Sequence, residues 1–118
     1  MVSLHLAYTQ ESHGLISRTL LERMKPGAWL VNTARAKLVD NEALVELLRA
    51  GRLRGAALDV HESEPPPADY VFRTLPNVLI TPHIGYNTPE AASNMLRIAI
   101  ATVEAFEKCA RLHVVNGV

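Results

Sequence analysis

The chain has 118 residues, 48% of them hydrophobic and 20% charged, the balance of a globular domain and not of a disordered segment. Its 12 basic side chains are matched by 12 acidic ones, and a net charge of zero lacks the basic excess that a nucleic-acid surface needs. No apolar run reaches the roughly 18 residues of a membrane span, and the lone cysteine, Cys109, excludes an intrachain disulfide, which fits a reducing cytoplasm.

One domain over residues 1–118 is the natural count, because domains commonly run to roughly 100–150 residues. Val2-Ser3-Leu4-His5-Leu6 alternates apolar and polar residues and predicts a strand. Thr9 to Gly14 is polar and loop-like. Ile16 to Met24 carries a short helical pattern, capped by Ser17 or by Thr19, which has Glu22 at capping-box spacing, and Lys25-Pro26-Gly27 stops it. Ala28 to Asn32 is a second strand, opened by Trp29 and ending abruptly at Thr33-Ala34-Arg35. Asp40 is a good N-cap for a helix whose Leu44, Leu47 and Leu48 share a face, and Gly51 closes it. Gly55 to Val60 predicts a third strand, and the triple proline Pro65-Pro66-Pro67 makes His61 to Tyr70 a loop. Val78 to Thr81 is a fourth strand, broken by Pro82. Thr88-Pro89 starts a helix whose apolar stripe, Ala92 to Phe106, reads as core packing out to about Lys108. The tail Leu112 to Val115 has the pattern of an extended strand.

Strands and helices alternate, and the strands are short and apolar on both faces. That predicts an α/β fold, a parallel sheet flanked by helices in three layers. In such sheets ligands sit beyond the carboxyl ends of the strands. Three of those ends hold a coherent chemical set. Arg35 offers a planar guanidinium fork for a carboxylate. His83 can give or take a proton near neutrality. Glu64 can bond such an imidazole and stabilise its protonated form. Cation, carboxylate and imidazole together are what reversible oxidation of a 2-hydroxy acid requires, with a separate group to accept the hydride. Asp59, taken alone, reads as a turn or cap former. His61, Glu62 and Glu64 lie too close on one loop to form a metal cluster, so no metal site is expected. His5, His13 and His113 read as strand or surface residues, and Cys109 has no neighbouring base to make it a nucleophile.

Three segments resemble the D-isomer-specific 2-hydroxyacid dehydrogenases. Val31-Asn32-Thr33-Ala34-Arg35, followed by Leu38 to Leu44, is similar to their arginine segment. Ala57 to Pro65 is similar to their glutamate segment, and Asn77 to Gly85 to their histidine segment. The order and separations suit the family, and the resemblance extends over essentially the whole chain. It implies one half of a Rossmann-type sheet, the carboxyl-terminal half of an NAD-binding domain, with NAD or NADP as cofactor and a small 2-hydroxy or 2-oxo acid as substrate. It implies Arg35 as the residue that binds substrate and polarises its carbonyl, His83 as the general acid/base and Glu64 as its partner. Thr33, Ala34, Arg35, Asp59, His83 and Gly85 would line the nicotinamide side, with Ala7 and Tyr8 close by.

The chain departs from the family pattern at several points. Ala36 stands where a glycine usually follows the arginine, Ala7 where a proline usually follows the first strand, and Tyr86 where a second glycine usually follows the histidine. Tyr86 either shapes the substrate pocket or caps the surface. Glu64 stands where the related formate dehydrogenases usually carry glutamine, which argues against formate. No Gly-x-Gly-x-x-Gly occurs, so the pyrophosphate-binding half and the substrate domain are expected to lie outside this chain. A non-catalytic remnant or regulatory NAD-binding module of the same fold is the competing expectation. The strand Val2 to Leu6, internal in a complete sheet, would become an exposed edge here, which predicts a homo-oligomer or a chain that aggregates.

Overall fold

The computed structural model describes residues 1–114. The chain divides into two compact units, Met1–Gly85 and a second beginning at Tyr86. The first unit holds four parallel strands, β1 (Val2–Leu4), β2 (Trp29–Asn32), β3 (Gly55–Leu58) and β4 (Val78–Ile80), together with helices α1 (Arg18–Glu22) and α2 (Asn41–Arg49). The sheet order is β1-β2-β3-β4, every pair parallel. The order runs in one direction without reversal, as in one half of a doubly wound sheet.

Period-2 alternation decides which face is buried. Leu4, Asn32, Leu58 and Ile80 share one row, and Leu30, Ala56 and Val78 a neighbouring row on the same face. Leu4, Leu30, Ala56 and Leu58 pack there with Leu21 of α1 and with Leu44 and Leu48 of α2. The opposite row, Ser3, Val31, Ala57 and Leu79, is half-buried or exposed. Trp29 opens β2 as expected. Its ring lies where any side chain at Gly55, its register partner on β3, would have to go.

Asp40 caps α2 as the sequence predicts: its Oδ1 accepts from the N–H of Ala43 at 3.0 Å. Gly51 follows the helix at φ 66°, the left-handed conformation that favours glycine. Asp40→Ala should therefore cost about 1 kcal/mol, read as a lower urea midpoint at unchanged slope. An unchanged midpoint would remove the cap from the account.

Several expectations are corrected. Three strands end one or two residues early, at Leu4, Leu58 and Ile80. The first helix is shorter than Ile16 to Met24. Ser17 is its N-cap but makes no side-chain cap bond, and Thr19 lies inside it, so the Thr19–Glu22 capping box does not form. Ile16 instead forms a β-bridge with Val39. In the second unit α3 (Pro89–Glu107) starts as expected, with Thr88 Oγ1 accepting from Ala91 N–H at 3.1 Å. Its apolar stripe is not core: none of its residues is buried, and Phe106 is 82% exposed. A unit this small cannot bury a long helix within itself. Residues 112–114 form no strand, and His113 turns back at φ 56°. Val115, the end of the expected tail strand, lies outside the described residues.

Candidate active site

The loop after β2 is built by a buried side chain. Asn32, 2% exposed, accepts the Ala34 N–H on Oδ1 at 3.0 Å and donates from Nδ2 to the Arg35 carbonyl at 2.9 Å. These two bonds turn the chain sharply and leave Ala34 buried and Arg35 exposed. Arg35 Nη1 donates to the Ala34 carbonyl at 2.6 Å. Ala36, where the resemblance expects glycine, opens a short 3₁₀ turn over Ala36–Leu38 and does not have a positive φ, so its methyl group is tolerated.

After β4 the chain turns at His83, a non-glycine residue at φ 56°. Asp59, just past β3 and 6% exposed, holds that turn. Its Oδ1 accepts from the Thr81 hydroxyl and from Ile84 N–H at 3.0 Å, and its Oδ2 accepts from Gly85 N–H at 2.8 Å. Burial pushes the Asp59 carboxyl up, but the Thr81 hydroxyl and the two N–H groups outweigh it and leave it below its ordinary value. Glycine is needed at position 85 because a Cβ there would lie 2.9 Å from Asp59 Oδ2.

The third loop brings Glu64 to the histidine. His83 Nδ1 donates to Glu64 Oε2 at 2.7 Å, and Glu64 Oε1 accepts the His61 N–H at 3.0 Å. The bond from His83, followed by that from His61, holds the Glu64 carboxyl below the usual carboxylate range. Arg35, Glu64 and His83 line one cavity of about 360 Å³ together with Tyr8, Ala36, Lys37, His61 and Glu62. A larger groove of about 690 Å³ runs along α2 and contains none of the three. Tyr8, which the resemblance places near a cofactor, lines the smaller cavity; the carbonyl of Ala7 accepts the Ser12 hydroxyl at 3.1 Å.

The structure thus gathers Arg35, Glu64 and His83, while Thr33, Ala34, Asp59 and Gly85 stand at the same sheet edge without lining the cavity. Sequence reasoning missed Asn32 and His61. A buried amide closing a strand is a signal for the first; nothing local marks the second. Among the described residues no cluster of three potential metal ligands occurs, and no helix is long and apolar enough to cross a membrane.

Residues 1–85 match the family described as D-isomer specific 2-hydroxyacid dehydrogenase, NAD binding domain. The chain belongs to that family. The matched residues coincide with the first compact unit, so Arg35, Glu64 and His83 all fall within the family's NAD-binding domain. A glyoxylate reductase of Thermofilum pendens is 43% identical over 108 residues, which is 92% of this chain and 32% of that protein. A D-lactate dehydrogenase of Lactobacillus jensenii, solved with NAD+, superposes at TM-score 0.87 with 32% identity, over 98% of this chain and 39% of that one. An NAD-dependent formate dehydrogenase of Staphylococcus aureus, solved with NAD, superposes at TM-score 0.82 with 36% identity, over 94% of this chain and 34% of that one. The chain therefore spans about a third of the length of the relatives it matches.

Proposed function

We propose that this chain carries the proton-transfer side of a hydride-transfer reaction between NAD or NADP and a small 2-hydroxy or 2-oxo acid. The observation that carries the reading is the convergence of Arg35, Glu64 and His83 on one cavity at the carboxyl ends of parallel strands, with Glu64 and His83 2.7 Å apart. Arg35 grips the substrate carboxylate and polarises the adjacent carbonyl. His83, bonded to Glu64 through Nδ1, exchanges the hydroxyl proton at Nε2. Glu64, ionised at neutral pH, stabilises the imidazolium. Glu64 in place of glutamine favours a hydroxy acid over formate.

The end of the site suits a nicotinamide. Thr33, Ala34, Asp59, His83 and Gly85 stand where open parallel sheets place their ligands, and Gly85 is exposed there. Bound there, the nicotinamide supplies or accepts the hydride. These 118 residues hold no Gly-x-Gly-x-x-Gly, so a pyrophosphate cradle comes from further polypeptide. On this reading residues 1–118 are the carboxyl-terminal half of the nucleotide-binding domain, working in the cytoplasm.

The test is NADH consumption with glyoxylate, pyruvate and hydroxypyruvate, by this chain and by a longer polypeptide that contains it. Turnover by either supports the reading. Inactivity of both overturns it in favour of a non-catalytic nucleotide-binding module. We also propose that the chain self-associates through β1, an edge strand whose Val2 and Ser3 are exposed. Light scattering should report an oligomer, and a monodisperse monomer would refute it.

A further inference from the structure

We propose that His61 is a positioning residue for the Glu64–His83 pair, with a proton on Nε2. The positioning role rests on the functional reading above, whereas the geometry it requires is measurable without turnover. His61 is 6% exposed, the one histidine buried among the described residues. Its Nε2 lies 2.8 Å from the Thr81 carbonyl. A carbonyl only accepts, so Nε2 carries the proton. Its Nδ1 lies 3.3 Å from the Tyr70 hydroxyl. Tyr70 keeps its proton: burial, and secondarily the charge of Glu62, push its hydroxyl up to about 12. The two rings meet edge to face, centroids 5.2 Å apart at 85°, which fixes the plane of the imidazole.

One residue thereby holds both members of the pair. Its main-chain N–H fixes Glu64 Oε1, and its ring fixes the carbonyl of Thr81, two residues before His83. Pro82 lies between them and has no N–H to contribute. Asp59 grips the far side of the same turn through Thr81, Ile84 and Gly85. The ring of His61 is thus the tie between the loop carrying Glu64 and the strand end carrying His83. A phenylalanine at position 61 has the shape of the ring without the bond. A glutamine places an amide N–H near the position of Nε2 and restores it. Both leave the main-chain donor to Glu64 in place, so the pair of variants isolates the bond to Thr81.

Proton–nitrogen correlation NMR on the imidazoles of the 118-residue chain tests this. The wild-type chain should show His61 with a proton on Nε2 and His83 with a hydrogen-bonded proton on Nδ1. His61→Phe should lose the His83 Nδ1 signature, and His61→Gln should keep it, with circular dichroism reporting the fold of each. An unprotonated Nε2 on His61 would overturn the proposal, even if His61→Phe fails to fold. So would a folded His61→Phe that keeps the His83 signature, or a folded His61→Gln that loses it. In a polypeptide that turns over, His61→Phe should lower kcat by roughly 10- to 100-fold at unchanged KM, since small misplacements of a reacting group cost that much. Absence of turnover in the unmodified protein would refute the functional reading and leave the NMR result to decide the role of His61.

Discussion

His83→Ala in a polypeptide that reduces glyoxylate is expected to lower kcat by about 10²- to 10⁴-fold, the usual contribution of a positioned general acid. Glu64→Gln separates the two halves of that contribution. It keeps an acceptor for His83 Nδ1, now 2.7 Å from Glu64 Oε2, but removes the negative charge facing the imidazolium. On the proposed reading, the reduction direction consumes a proton from His83. Removing the charge that favours the protonated ring should therefore depress reduction first on the alkaline side of the pH profile. Glu64 itself is held ionised below the usual carboxylate range, so its own protonation does not interfere near neutrality. A pH profile for Glu64→Gln that overlays the wild type would take the charge of Glu64 out of the mechanism. A normal rate for His83→Ala would take out the histidine.

Asp59→Ala is expected to destabilise the first unit by about 1–3 kcal/mol, because it strands several part-buried donors at once. The donors are the Thr81 hydroxyl and the N–H groups of Ile84 and Gly85. The pH dependence follows from the lowered carboxyl. A group whose folded value lies below its unfolded one binds fewer protons when folded. Its stabilisation is complete above the ordinary value of 3.8 and fades as pH falls through the lower folded value. Asp59→Asn should thus lower the urea midpoint at neutral pH and flatten the acid limb of the stability curve. A mutant curve parallel to the wild type down to strongly acid pH would show that the carboxylate charge contributes nothing.

Much of this was legible beforehand. The four apolar runs became four parallel strands because each is short and rich in residues that suit a buried sheet. Asp40 and Thr88 capped their helices because a side-chain oxygen before a helical run has nearby N–H groups to accept from. Arg35 and His83 stand out by their chemistry at strand ends, and the structure brings both to one cavity. The 3₁₀ turns at Ala36–Leu38 and Val71–Thr74 were not, being too short to show a period. The bonds of Asp59 were hidden because their donors lie on the next strand's exit, more than twenty positions along. His61 was illegible for a related reason. Between Asp59 and Glu62 it reads as a solvated loop residue, and only the return of Tyr70 and Thr81 over it makes a buried site. The exposed stripe of α3 misled in the opposite sense: amphipathic spacing shows that a face seeks cover, and says nothing of what supplies it.

The unidirectional strand order also bears on how the unit forms. Each strand pairs with the one made just before it, so every β contact closes across a single crossover. During synthesis β2 can dock on β1, β3 on β2 and β4 on β3 in the order in which they emerge, with no strand waiting for a distant partner. The pairing that aligns His83 with Glu64 is the last of these to close, so that pair is assembled only on a sheet already in place.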